Sequence, residues 1–139
     1  MLSNTLNTNQ VKDSTGAEVE FERMLTNERT SVFQKIGMQE ALPHKMSIAH
    51  QESGTGMKRR RRSAFRVDLT SISGVDSVTP ITDSAYIVLD RAVGASTSDT
   101  AATNVLANLL SAVASDGSDS TIKFNGTGTF ASALIKGTL

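Results

Sequence analysis

The stretch Met57–Leu69, MKRRRRSAFRVDL, constrains this chain more than any other, because a run of cations leads directly into alternating charged and apolar residues. Read as an extended segment, it points Lys58, Arg60, Arg62 and Arg66 to one side and Phe65, Val67 and Leu69 to the other. A sheet built on such a strand has one face suited to a polyanion and one suited to a core.

The segment before it, His44 to Glu52, has the same design with weaker charge. Lys45, Ser47, Ala49 and Gln51 alternate with Met46 and Ile48, and the connection SGTG is short enough for antiparallel pairing. If burial puts the two apolar rows on one face, the other face gathers Lys45, Ser47, Arg62 and Arg66 into a patch. One Lys and four Arg in a row, taken alone, are as readily a solvated patch or an import address. The alternation that follows tips the balance towards nucleic acid. Crowded arginines repel one another unless a polyanion neutralises them, so binding through phosphates, weakened steeply by salt, is the expected mode.

The 14 basic and 14 acidic residues cancel over the 139-residue chain but are unevenly placed. Residues 1–52 hold five bases and seven acids, residues 53–66 six bases and no acid, and residues 67–139 three bases and seven acids. The neutral total hides a cationic stripe. A chain of this length, 38% hydrophobic, reads as a single domain over 1–139. With no cysteine there are no disulfides or thiolate metal sites. The amino terminus MLSNTLNTNQ has neither a basic leader nor an apolar signal segment, and no apolar run reaches the roughly 20 residues of a membrane span. A soluble protein without a cleaved signal, with no membrane partner, is expected. One Tyr, five Phe and no Trp make a row of base-stacking rings improbable and leave an aliphatic core.

The first third reads as short antiparallel strands separated by turn residues. They are Leu6 to Lys12, Ala17 to Met24 and Thr30 to Ile36, with DSTG and TNE between them and a connection from Gly37 to Pro43 before the His44 strand. After Leu69, the Ser/Thr/Gly/Pro-rich stretch Thr70 to Asp83 reads as a loop, and SAYIVLDRAVG as a last strand ending at Gly94. Ser96, three residues before Asp99, approximates a capping box for a helix on which Val105, Leu106, Leu109, Leu110 and Val113 recur at helical spacing, with Gly117 as its stop. Asn125-Gly126 is a turn, and Phe130 to Ile135 fits either a short helix or a terminal strand. No internal repeat is present.

These elements predict an oligomer. Five or six strands about 4.8 Å apart make a sheet about 20 to 25 Å wide, whereas one helix is about 10 to 12 Å across. A single helix leaves much of the apolar face uncovered. An obligate dimer, with each helix laid across the partner's sheet, covers it, and makes Val105, Leu106, Leu109, Leu110 and Val113 the dimer interface.

The order of these elements resembles the coat proteins of the single-stranded RNA bacteriophages, the levivirus group. HKMSIAHQESGTGMKRRRRSAFRVDL is similar to that family's adjacent RNA-binding strands, and SAYIVLDRAVGASTSDTAATNVLANLLSAVASDG to its last strand running into the long helix. The resemblance implies an α+β fold: an antiparallel meander sheet with an amino-terminal hairpin and one or more carboxy-terminal helices, interlocked as a dimer. It implies homodimers that close into an icosahedral shell, with single-stranded genomic RNA or an RNA hairpin as partner and repression of replicase translation as a second role. It places the protein in the virion, assembled in the bacterial cytoplasm. By position, the RNA-facing residues are Lys45, Ser47, Ala49 and Gln51, then Arg60, Arg62, Ala64 and Arg66, then Tyr86, Val88 and Asp90, with Lys58 extending the cationic run. Tyr86 corresponds to a tyrosine that stacks on an RNA base in several members, although a strand tyrosine more often packs its ring and wets its hydroxyl. The loop Thr70 to Asp83 corresponds to the segment that gathers at the shell's symmetry axes.

No catalytic residue, metal site or cofactor is expected. The chain has no G-x-S-x-G, no H-E-x-x-H and no Gly-rich loop ending in Lys-Ser/Thr. His44 and His50 lie six residues apart on a strand, too far for joint ligation, and Glu18, Glu20 and Glu22 read as a solvated row. The alternative to a coat protein is a non-viral, dimeric nucleic-acid-binding module that does not assemble into shells.

Overall fold

The computed structural model describes residues 2–115 and 125–138. The chain divides into two compact units, Met1–Thr8 with Glu20–Thr97, and Asn9–Val19 with Ser98–Leu139. Each is described by itself.

The first unit is a six-stranded antiparallel sheet whose spatial order is its chain order: β1 (Thr5–Leu6), β2 (Phe21–Thr26), β3 (Thr30–Lys35), β4 (His44–Ser53), β5 (Arg60–Ile72) and β6 (Pro80–Arg91). Its turns use the side chains that the sequence supplies. Asn27 Oδ1 accepts the amides of Arg29 at 3.0 Å and Thr30 at 2.7 Å, closing β2 onto β3. A bulge between Arg23 and Leu25 bends β2. The core of this unit is Leu6, Phe21, Phe33 and Met46, with both phenylalanines fully buried. His44 meets Phe21 edge to face at 5.0 Å, and burial first, Lys35 second, pushes its pKa below the ordinary histidine value. Arg23 is structural: its guanidinium lies 5.3 Å from the Phe33 ring centre and donates to the Leu2 and Ser3 carbonyls.

Several expectations need correction. The strand read over Leu6 to Lys12 is only Thr5–Leu6, because Asn9 takes a positive φ of 59° that no continuing strand accommodates. β2 runs Phe21–Thr26, later than Ala17 to Met24. Half of the stretch Thr70 to Asp83 is sheet. β5 continues to Ile72 and β6 starts at Pro80, leaving Ser73 to Thr79 as the turn. The Thr70 and Thr82 hydroxyls bond at 2.8 Å across that extension, and Pro80 is tolerated because it opens an edge strand. Polar β-branched residues read as loop by composition were the ends of a long hairpin.

The second unit contains a turn and two helices. Asp13 accepts hydrogen bonds from Thr15 and Ala17, and an isolated bridge joins Lys12 to Glu18. Helix α1 spans Thr100–Ala114 and α2 spans Thr129–Lys136. The N-cap position of α1 is Asp99, not Ser96: the Asp99 carbonyl accepts the Thr103 amide at 2.9 Å and so opens the helical ladder, with no capping hydrogen bond to the Asp99 side chain. Gly117 lies outside the described residues. The Phe130 to Ile135 ambiguity resolves to helix, ended by Gly137 at φ 65°. Val19, Ala114 and Ala131 are buried in this unit, and a Cβ at Gly128 would stand 2.4 Å from the Ser115 carbonyl oxygen, so the two helices meet over a residue without a side chain.

Candidate nucleic-acid interface

Register decides which side chains share a face. β4 pairs with β5 as Lys45–Asp68, Ser47–Arg66, Ala49–Ala64, Gln51–Arg62 and Ser53–Arg60. β5 pairs with β6 as Arg62–Asp90, Ala64–Val88, Arg66–Tyr86 and Asp68–Ser84. Directly paired residues lie on one side of a sheet, as do residues two apart on a strand. Lys45, Ser47, Gln51, Arg60, Arg62, Arg66 and Tyr86 therefore lie on one face, together with Ala49, Ala64, Val88 and Asp90. The opposite face carries Met46, Ile48, Phe65, Val67, Leu69, Ile87 and Leu89, and also His44 and His50, whose Nδ1 is 2.8 Å from Ser63 Oγ.

Lys58 departs from the strand. It ends a one-turn 3₁₀ segment, Gly56–Lys58, and β5 begins two residues later. Gly54 and Gly56 both take positive φ there, and the Arg59 amide donates to the Gly56 carbonyl at 3.2 Å, so a tight turn displaces the extended conformation. Arg59 also accepts the Gly94 amide at 2.9 Å through its carbonyl, pinning the chain after β6 to the head of β5.

The cations on the polar face differ in their partners. Arg60 Nε lies 2.9 Å from Asp90 Oδ1. Arg66 Nε donates to both oxygens of Asp68 at 2.8 and 2.9 Å, and its Nη2 reaches Ser84 Oγ at 3.1 Å; Ser84 in turn donates to Asp68. The Ser84 hydrogen bond, then Arg66, holds the Asp68 carboxyl below its usual pKa, so it is ionised throughout the neutral range. Arg62 and Lys45 make no ion pair among the described residues. Arg61 points to the other face and pairs with Glu52 at 2.7 Å.

Between the rows Gln51–Arg62–Asp90 and Ser47–Arg66–Tyr86 runs an apolar lane, Ala49–Ala64–Val88, crossing three strands. These residues line a shallow depression of about 340 Å³, with Tyr86 68% exposed at its border. Asp68 and Ser84 were missed in the sequence, although Asp68 stands two residues after Arg66 and so had to share its face. Asp90 shares the face of Arg62, directly opposite it in the register.

The five residues named for a dimer interface lie on α1. Val105, Leu109, Leu110 and Val113 are 38–60% exposed and Leu106 is half-buried. On α2, Phe130, Leu134 and Ile135 are exposed as well. No helix is long and apolar enough to cross a membrane, and no group of three metal-ligating side chains occurs among the described residues.

A six-stranded antiparallel meander followed by two helices is the fold of the RNA bacteriophage coat proteins, and this chain has that fold. Among solved structures it is similar to the coat protein of bacteriophage EMS014, 12% identical with a TM-score of 0.67 over 88% of this chain and 89% of that one. It is also similar to the capsid protein of bacteriophage GA, 16% identical with a TM-score of 0.52 over 87% and 85%. The likeness to the virus-like particle of bacteriophage AVE015, 10% identical with a TM-score of 0.50, spans 64% of each chain, less than two thirds of that relative's length. By sequence alone the chain matches no protein-family model and none of the curated proteins. At these identities the likeness is one of fold, and the proteins that share it are structural capsid components rather than enzymes.

Proposed function

We propose that this chain, acting as one domain over residues 1–139, is a capsid subunit that dimerises, closes into an icosahedral shell and binds single-stranded RNA on the polar face of its sheet. The observation that carries this reading is the sorting of the sheet. Lys45, Arg60, Arg62 and Arg66 share one face, while Phe65, Leu69 and Ile81 on the other are 37–46% exposed.

Dimerisation is supported by three uncovered surfaces. The first is the part of the apolar sheet face around Phe65, Leu69 and Ile81. The second is α1, whose Leu109 and Leu110 are nearly half exposed. The third is the free edge of β6, twelve residues whose outer backbone groups have no strand partner among the described residues. An exposed strand of that length invites another strand. A second copy satisfies all three at once, with the helices of each chain laid over the sheet of its partner.

RNA binding is supported by geometry as well as charge. Arg62 and Arg66 are four residues apart on β5, about 13 to 14 Å, and the Ala49–Ala64–Val88 lane lies between them. A phosphate held at Arg62 leaves the adjoining base over this apolar floor, beside the Tyr86 ring and within reach of the Gln51 amide. Recognition of a hairpin, and through it repression of replicase translation, is a finer role of the same face. In such a shell the turn Ser73 to Thr79 makes contacts between copies at the symmetry axes, a role supported by the exposure of Val75 and Val78 at 98% and 74%. The protein then resides in the virion, after assembly in the cytoplasm of a bacterial host.

Electron microscopy of the recombinant protein, paired with the ratio of absorbance at 260 and 280 nm, tests the reading. Uniform round particles with nucleic-acid absorbance are expected. A small dimer that binds RNA without forming particles would instead make the protein a nucleic-acid-binding module.

A further inference from the structure

The polar face is not simply cationic. Two of its arginines already hold carboxylates, and both do so through Nε: Arg60 with Asp90, and Arg66 with Asp68. These pairs are half open to water, with arginine side chains 50–52% exposed, so a phosphate can reach them. Arg62 stands between them without an ion pair among the described residues. Yet Asp90 lies directly opposite Arg62 in the register and is nonetheless turned to Arg60. A row of four cations therefore carries two built-in anions, one towards each end.

Resting on the RNA-binding reading above, we propose that Asp68 and Asp90 are internal competitors of phosphate, which reserve Arg66 and Arg60 and leave Arg62 as the arginine that anchors RNA. A carboxylate and a phosphate present the same kind of acceptor to a guanidinium, so RNA takes either outer arginine only by displacing a partner already in place. Displacement offers little gain, because one charge-assisted hydrogen bond replaces another, and the freed carboxylate then stands close to the phosphate. The arrangement holds down indiscriminate affinity for polyanions on a face whose four cations would otherwise all be open to them. It also focuses binding on the centre of the lane, where base contacts are available. Asp68 is the stronger competitor, since Ser84 braces it as well as Arg66.

The test is titration of RNA-stripped recombinant protein with a uridine oligonucleotide over a range of salt concentrations. It compares wild type with Asp68→Asn, Asp90→Asn, the double variant and Arg62→Ala. Asparagine keeps size and one acceptor while removing charge, and circular dichroism verifies folding. The double variant should bind about three- to tenfold tighter at low salt. Its dependence of log affinity on log salt should steepen by about 1.4, since each phosphate newly neutralised on single-stranded nucleic acid adds about 0.7. Either single variant should move part of the way, Asp68→Asn further. Unchanged affinity and slope, or weaker binding, would overturn the proposal, the latter by making the carboxylates orienting groups. Arg62→Ala separates the two levels of the argument. If neither it nor the asparagine variants change binding, RNA does not use this face and the RNA-binding reading falls; if it leaves binding intact while the asparagine variants tighten it, Arg62 is not the anchor; if it weakens binding while the asparagine variants change nothing, only the competitor role falls.

Discussion

At the scale of single residues, similar arginines have different duties because the pleat and the local carboxylates divide them. Arg62 and Arg66 sit on the polar face, Arg61 beside them faces the other way onto Glu52, and Arg23 is spent on Phe33 and the amino-terminal carbonyls. Replacing Arg62 and Arg66 together by Ala should lower the RNA packaged per particle, read from the absorbance ratio. It should move the thermal midpoint little, because exposed substitutions of this kind usually change stability by about 0.5 kcal/mol or less. Asp76 allows a different test. Its carboxylate accepts the Thr79 hydroxyl and the Thr79 and Val78 amides, and these bonds lower its pKa to about 2. A depressed folded pKa means that the bonds add stability above the ordinary value of 3.8, and that this contribution is lost as pH falls from there through about 2. Protection of the Val78 and Thr79 amides from hydrogen exchange should thus persist at pH 4.5 and fade towards pH 2. In Asp76→Ala it should be reduced already at pH 4.5.

At the scale of elements, the long central strands were legible because period-two alternation survives in them. His44–Ser53 and Arg60–Ile72 pair in the register that puts the anticipated cations together. What failed were the places where backbone geometry overrides composition. Asn9 at positive φ cuts the first strand short. Gly54 and Gly56 turn Lys58 out of β5, and threonines read as loop extend the β5–β6 hairpin. The partners of Arg66 were hidden for another reason: Ser84 belongs to a strand whose register with β5 no sequence pattern specifies. One contact that sequence could not show is the approach of Gly94 to Gly56, where a Cβ would stand 1.9 Å from the Gly56 carbonyl oxygen. Gly94→Ala should separate the head of β5 from the chain after β6 and cost roughly 1–3 kcal/mol in urea denaturation. Gly74→Ala, with nothing within 4 Å of a Cβ, is the neutral control.

At the scale of the whole molecule, the described surface leaves many large apolar side chains open to water. Leu69, Ile81, Leu109, Leu110, Phe130, Leu134 and Ile135 are all at least 44% exposed. If a second copy covers them, folding and association are one equilibrium, and the thermal midpoint should rise with protein concentration. Sedimentation should give a dimer or larger species at every concentration at which the protein is folded; a stable folded monomer would contradict this. Leu110→Glu, a charge on the exposed stripe of α1, should abolish particles and lower soluble yield.

The strand order of the sheet has a consequence for how the protein is made. Every described strand pairs only with its neighbours in the chain, so none of these pairings waits for a distant segment. Sheet topologies with far-apart partners fold slowly because loop closure costs entropy before any contact compensates it. Here each hairpin can close as soon as its second strand leaves the ribosome, from β1 onwards, and the half-made sheet always presents its newest strand as the growing edge. The last strand of this sheet to be made is β6, the edge left open when synthesis moves on to the helices, so a nascent chain completes the pairing of the sheet before it offers that edge to another.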